Sequence, residues 1–427
     1  MKNNDKFKQI NRFVNDLEAC TKCGFCTYFC PVYHEERIEP AVARGKNMLI
    51  RSLVSGDLTY TDSLAKQINQ CTLCMTCSQN CPSKTQIPQV IVAARADKVS
   101  QKGLPFPYNL IYRWLLPRRR LFGYVVRFAS WFQGIFMPKT EGSIRHLSMF
   151  LSALGKGRHI PQIAPKFLRQ LVPEVNHPPK GVETKYTVGY FTGCMTDFVF
   201  PELGEKIINF LTRNGVEVDV PRGQGCCGAP VFLGAGDFET GRRLADSNVK
   251  AFKDLDYIIT DCATCASSMK EYVKFLADTD ERKQDYTDFA GKVKDITEFL
   301  VDVLKLPPSA YRVATEFKGK RVTWHEPCHL GRYLGVKEQP GKILNALQDI
   351  TFIEMPNADR CCGMAGTFSV YFYDLSKKIA DRKISDIEST GADIVVTDCP
   401  GCQIQLIDGV MRHGMSPKVM HIMELFE

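Results

Sequence analysis

Three short stretches decide the fold: VTWHEPCHL (322–330), RCCGMAG (360–366) and DIVVTDCPGC (393–402). They supply Cys328, the adjacent pair Cys361 and Cys362, and a closing Cys399-x-x-Cys402. The same order occurs once before. YTVGYFTGC (186–194) holds Cys194, QGCCGAP (224–230) holds Cys226 and Cys227, and YIITDCATC (257–265) holds Cys262 and Cys265. Equivalent cysteines lie 134, 135 and 137 residues apart, so this part of the chain is an internal duplication. Each copy gathers five cysteines, more than a zinc tetrahedron needs.

Short β-branched runs (YTVGYF, VEVDV and DYIIT, then RVTWH, TFIEM and DIVVT) alternate with helical periodicity near 202–213, 238–252, 267–276, 341–347, 376–388 and 403–412. This predicts α/β units around mainly parallel sheets, in which ligands gather beyond the carboxyl ends of the strands. Cys194, Cys262, Cys328 and Cys399 all fall there. Each closing pair opens a helix, where backbone N–H groups favour thiolate over thiol. The glycine after each adjacent pair lets the backbone turn beside a bulky ligand. Five soft ligands per copy point to a larger or distorted iron–sulfur cluster rather than zinc.

Upstream lies Cys20-x-x-Cys23-x-x-Cys26-x-x-x-Cys30-Pro31, and the pattern returns at Cys71-x-x-Cys74-x-x-Cys77-x-x-x-Cys81-Pro82. This is the bacterial ferredoxin spacing for two [4Fe–4S] clusters, in which the fourth cysteine of each run serves the other run's cluster. One cubane is therefore assigned to Cys20, Cys23, Cys26 and Cys81, the other to Cys71, Cys74, Cys77 and Cys30. A tetrahedral zinc has no use for the third cysteine of each run. The four sets account for all 18 cysteines. A disulfide framework would suit a small secreted domain, whereas the N-terminus MKNNDKFKQINRF lacks the apolar segment of a secretory signal. Helical spacing through PAVARGKNMLIRSLVSGDL and a closing helix at 87–98 make the first module helical.

The net charge of +8 is concentrated. Residues 102–180 carry 13 Lys/Arg against Glu141 and Glu174, a net +11. Within them LIYRWLLPRRRLFGYVVRFASWFQGIF (110–136) is basic, aromatic and amphipathic. It reads either as an interfacial helix on anionic lipid, with Arg118, Arg119 and Arg120 facing the headgroups, or as a connector packed between domains. No recognition motif accompanies the charge, so no nucleic acid is expected. No window is long and apolar enough to span a bilayer. His325 and His329 bracket Cys328 and His34 follows Cys30; each is a structural histidine or a donor near cluster sulfur. No dinucleotide fingerprint or nucleophile elbow is present, which leaves flavin or nicotinamide chemistry to another chain and assigns no catalytic residue here.

The two five-cysteine copies resemble the CCG-type cysteine-rich domain of heterodisulfide reductases. Joined to a helical ferredoxin module, they resemble the iron–sulfur subunits of glycolate oxidase, lactate oxidation and anaerobic glycerol-3-phosphate dehydrogenase. GKVKDITEFL, HEPCHLGRYLGVKEQP, CCGMAGTF and TGADIVVTDCPGC carry the glycolate/lactate likeness. The resemblance implies an α+β and α/β chain. It comprises a helical dicluster ferredoxin module (1–101), a basic amphipathic helical connector (102–184) and two tandem α/β CCG domains (185–318 and 319–427). It further implies two noncubane [4Fe–4S] clusters on the five-cysteine sets and a FAD-linked dehydrogenase partner. Electrons would pass to a quinone or other acceptor, in the cytoplasm or peripherally on the inner face of the cytoplasmic membrane. Cys262 and Cys399 are both present, where glycolate oxidase subunits often lack the first cysteine of the closing pair. This brings in the alternative of a heterodisulfide reductase-like enzyme.

Overall fold

The structure, a computed structural model, describes residues 5–136, 139–141, 144–146 and 158–427. Residues 1–4 of the expected helical module, and 137–138, 142–143 and 147–157 of the expected connector, lie outside the described residues.

The N-terminal part is helical. Helix α1 (Ala43–Ser55) lies between the two cysteine runs and ends at Gly56, whose φ of +89° caps it in the left-handed region. Helix α2 (Ile87–Lys102) carries Pro88 in its first turn and closes at Gly103. It runs beyond the predicted residue 98, since Val99 still finds the core. Residues Val90 to Asp97 of α2 are buried without a break, so this helix is a central post rather than an amphipathic surface helix. Its Arg95 guanidinium donates to the carbonyls of Asn69 and Cys71 on one side (both 3.1 Å) and of Leu233 on the other (3.0 Å). A buried guanidinium needs such saturation, and here it clips the second cysteine run to the first α/β unit. Gly236 (φ +85°) allows the approach, because a Cβ there would sit 2.4 Å from the Arg95 carbonyl carbon.

Helix α3 (Arg119–Phe136) crosses the first α/β unit. That unit contains strands β1 (Val175–Asn176), β2 (Tyr186–Tyr190), β3 (Val216–Asp219), β4 (Tyr257–Thr260) and β5 (Val293–Asp295), in the order β1-β3-β2-β4-β5. All pairings are parallel except that of the edge strand β1, which comes from the segment expected to be a helical connector. That segment is not helical throughout: residues 139–141, 144–146 and 159–161 pair as a small antiparallel sheet. Helices α4 (Pro201–Arg213), α5 (Phe238–Ala251) and α6 (Ala263–Lys270) link them. The periodicity at 267–276 resolves into α6, which starts directly after Cys262, and a separate turn at Tyr272–Phe275.

The second unit contains β6 (Arg321–Trp324), β7 (Thr351–Ile353), β8 (Ile394–Thr397) and β9 (Lys418–His421), in the all-parallel order β7-β6-β8-β9. Helices α7 (Glu338–Ala346), α8 (Tyr373–Thr390) and α9 (Pro400–Arg412) connect them. This is the order β3-β2-β4-β5 of the first unit, so the duplication is one of topology as well as of cysteines. The last strands of the two α/β sheets, Val293–Asp295 and Lys418–His421, were not anticipated. One apolar core runs through the helical module and both sheets, with a small satellite of Val32, Ala41, Phe368, Leu375 and Ile379 where the first cysteine run meets α8.

Candidate iron–sulfur centres

All eighteen cysteines are free, and most are partly or wholly buried. In the helical module they divide between two cavities. One, about 410 Å³ of atom-free space, is lined by Cys20, Cys23, Cys26 and Cys81, with Cys77 at its inner wall. The other, about 380 Å³, is lined by Cys30, Cys71, Cys74 and Cys77. Cys81 thus joins the cavity of the first run and Cys30 that of the second, while Cys77 lines both. Left-handed residues bend the loops around them: Lys22 and Gly24 in the first run, Leu73 and Met75 in the second. Cys30 is followed by Pro31 at the first helical position of residues 31–36, so the chain leaves the cavity at once.

These thiols are poor acids on their own. Burial pushes Cys30 up to about 12, and burial likewise raises Cys71 and Cys77. Several apposed thiols in one buried pocket reach the thiolate state together only around a cation. Buried Lys46 lines the second cavity and is tied by its ammonium to the carbonyls of Pro40 (2.9 Å) and Gln67. The donor set and its surroundings therefore fit an iron–sulfur core.

The five-cysteine sets form at the carboxyl ends of the two sheets. In the first, Cys227 contacts both Cys226 and Cys265, Cys262 contacts Cys265, and Cys194 faces Cys227. In the second, Cys361 lies beside Cys328, and Cys362 and Cys402 Sγ are hydrogen-bonded at 3.4 Å. That bond, together with His325 and against the cost of burial, holds Cys362 down at about 5. Both adjacent pairs use their glycine identically. Gly228 (φ +81°) donates its N–H to Cys226 Sγ and Gly363 (φ +85°) to Cys361 Sγ, each at 3.4 Å. Cys262 and Cys399 are the N-cap residues of α6 and α9, so the closing pairs do open helices.

The four sets are not separate. Cys74 of the helical module lies near enough to Cys361 of the second five-cysteine set for each to shift the other's acidity. The same holds for Cys262 of the first set and Cys399 of the second. Thr264 from the first copy also reaches Cys399 Sγ at 3.5 Å. Tyr333 donates to the Leu73 carbonyl (2.9 Å), holding the second cysteine run against the second α/β unit.

The histidines differ from one another. His34 lies at the surface with Nε2 2.7 Å from the Tyr28 carbonyl. His329 is half-buried, stacks on Tyr333 and shares a 2.6 Å hydrogen bond with Ser267 of the first copy. His325 is buried beside Cys362 and Cys402. Sequence reasoning missed a fourth histidine. His421, at the end of β9, donates to the Asp261 carbonyl and lies 2.9 Å from the Asp398 carboxylate. Burial opposes its charge, but Asp398 and then Asp261 outweigh it and raise His421 to about 9. The repeated TDC of YIITDC and IVVTDC marked both aspartates; nothing local marked His421 as their partner.

These centres define an iron–sulfur protein built from a dicluster module and two cysteine-rich domains. Family models agree: a cysteine-rich CCG domain matches residues 188–270 and again 322–407, and a 4Fe-4S dicluster domain matches 16–85. The chain is 35% identical to lactate utilization protein A of Oceanobacillus iheyensis over 56% of this chain and 95% of that one. It is 27% identical to the probable glycolate oxidase iron-sulfur subunit of Bacillus subtilis over 96% of this chain and 93% of that one. A hypothetical protein from Helicobacter pylori shares the fold, with a TM-score of 0.52 at 8% identity over 99% of this chain and 72% of that one. The chain belongs to the family of lactate utilization protein A and the glycolate oxidase iron–sulfur subunits, and it is an iron–sulfur protein.

Proposed function

We propose that this chain is the electron-transfer subunit of a 2-hydroxy-acid-oxidising complex. A FAD-linked dehydrogenase on a separate chain oxidises lactate or glycolate, and the electrons pass through this chain to a quinone or another acceptor. When bound, the clusters supply one-electron carriers; the protein's part is to hold them close and tune them. The ligand assignment is two [4Fe–4S] cubanes, one on Cys20, Cys23, Cys26 and Cys81, the other on Cys30, Cys71, Cys74 and Cys77. Two noncubane [4Fe–4S] clusters take Cys194, Cys226, Cys227, Cys262 and Cys265, and Cys328, Cys361, Cys362, Cys399 and Cys402. The domain limits are those of the sequence reading, with β1 and its flanks joined to the first CCG domain.

One observation carries the reading. The thiols form a continuous run, from the helical module through Cys74 and Cys361 to the second CCG set, and through Cys399 and Cys262 to the first. A run of neighbouring ligands suits passage of electrons, whereas a scaffold or four independent zinc sites has no use for it.

Membrane contact is part of the proposal. Among the described residues no helix is long and apolar enough to cross a membrane. Helix α3 instead turns Leu121, Tyr124, Val125, Phe128, Trp131 and Phe132 outward, with Trp131 71% exposed. Such a stripe beside basic residues matches an interfacial helix at an anionic surface.

The complete closing pairs keep heterodisulfide reduction as the second reading, with a disulfide cleaved at the set around Cys362. The isolated chain, reduced chemically and offered a panel of disulfides, is expected to be inert. It is also expected not to oxidise lactate or glycolate until the flavoprotein is added, after which the hydroxy acid should reduce its clusters. Disulfide turnover that disappears in Cys362→Ser would replace the first reading by the second.

A further inference from the structure

The two copies share a backbone frame and differ at the inward position three residues before the lone cysteine. Three residues before Cys194 stands Phe191, and three residues before Cys328 stands His325. Their backbone N–H groups make the same cross-strand bond, Phe191 to Ile259 O (2.8 Å) and His325 to Val396 O (2.9 Å). Phe191 lies among apolar rings, 6.1 Å from the centroid of Phe252. His325 is 1% exposed, and a ring nitrogen lies within 4.8 Å of both Cys362 and Cys402 Sγ. Neither Nδ1 nor Nε2 has a hydrogen-bond partner in the protein. The neighbouring His329, by contrast, is satisfied by Ser267.

We infer that His325 is a potential-tuning residue whose ring N–H is hydrogen-bonded to ligand sulfur of the second CCG cluster, so that this cluster is easier to reduce than the first, where Phe191 offers no donor. The inference rests on the proposal that both five-cysteine sets hold clusters. Reduction adds one negative charge to a cluster, and a donor aimed at its sulfur stabilises the reduced form more than the oxidised one. No proton is transferred in this step. The second set therefore acts as the local electron sink next to the helical module, and the first set, behind an apolar wall, receives electrons less readily.

The test uses the full chain purified anaerobically, with iron and sulfide analysis and a redox titration followed by EPR. His325→Phe copies the first repeat into the second. It should keep the wild-type iron content while one midpoint falls by about 59 mV, a tenfold change in the one-electron equilibrium constant. His325→Gln, which keeps an N–H donor, should restore most of the shift. The reciprocal Phe191→His should raise a different midpoint, and it tests the idea even if His325→Phe does not fold. Unchanged midpoints in a fully loaded His325→Phe chain would overturn the inference. So would loss of iron from both His325 variants, since His325 would then be an iron ligand. Wild-type iron sufficient for only two clusters would instead overturn the underlying proposal, and is distinguished by needing no variant.

Discussion

At the scale of single residues, Cys30 shows how sequence neighbours are separated by the fold. It is four residues from Cys26, yet it lines the cavity of Cys71, Cys74 and Cys77. Cys30→Ser is therefore expected to damage the cubane of the second run and spare that of the first, to which Cys20 belongs. Mössbauer or EPR spectra of the variant, compared with Cys20→Ser, check this; the same cluster lost in both variants would refute it. His421 supplies a second residue-scale prediction. Its folded value of about 9 lies above the ordinary histidine value of 6.5. The protonated ring therefore stabilises the fold fully below about pH 6.5, and this contribution fades as pH rises through 9. The amount is on the order of 3 kcal/mol, from 1.36 kcal/mol per unit. His421→Gln should be markedly less stable than wild type at pH 6, and the gap should narrow towards pH 9.5 in denaturant midpoints. A gap independent of pH would mean that His421 is not charged in the fold.

At the scale of elements, helix α3 inverts the usual arrangement. Its inward face mixes Phe122, packed on Phe198, with charge: Arg119 pairs with Asp197 at 2.6 Å and lies over the Phe198 ring, and Arg127 lies over Phe167. Gln133 donates to the Ile163 carbonyl at 3.0 Å. Its outward face is the apolar stripe. The expectation that Arg118, Arg119 and Arg120 act together on headgroups is corrected here, since Arg119 is committed to Asp197 and only Arg118 and Arg120 are exposed. Binding to anionic vesicles should weaken steeply with salt and with Arg118→Glu plus Arg120→Glu, each charge contributing about 1 kcal/mol near the surface. Trp131→Ala should weaken binding without altering its salt dependence, because it removes buried apolar area rather than charge. Co-sedimentation measures both; indifference to all three changes would assign the stripe to a protein partner. Arg119→Glu should instead destabilise the fold, as it sets a second carboxylate against buried Asp197.

At the scale of the whole molecule, the modules are joined through the sites themselves. Arg95 fastens the second cysteine run to the first α/β unit, and Tyr333 fastens it to the second. Arg95→Met leaves the carbonyls of Leu233 and Cys71 without the guanidinium donor, at a cost of roughly 1–3 kcal/mol for each one left buried and unpaired. Because Arg95 also holds the Cys71 carbonyl, and with it the cysteine run that places Cys74 near Cys361, electron transfer from the cubanes to the CCG set should slow before the chain unfolds. Stopped-flow reduction of Arg95→Met, with circular dichroism as a control on folding, checks this. A wild-type rate in a destabilised variant would show that the joint is structural only.

Much of this was decided by spacing alone. Cysteine ligation is local in its loops and repeats at fixed intervals, so the dicluster runs, the duplication and the strand-then-cysteine order are all legible in the sequence, as are most strands and helices of the two α/β units. The residues that the sequence left silent act across distance. His421 meets Asp398 and Asp261 because β9 lies beside β8 at the seam between the two copies. Arg95 is one arginine among many until α2 is buried on all sides. The direction of the α3 stripe depends on which face Asp197 and Phe198 claim, and periodicity is the same for either choice. Cys74 nears Cys361, and Cys262 nears Cys399, only when three modules pack. Local chemistry determined what each segment binds; which site adjoins which was left to packing, because side chains from separate modules meet only in the folded chain.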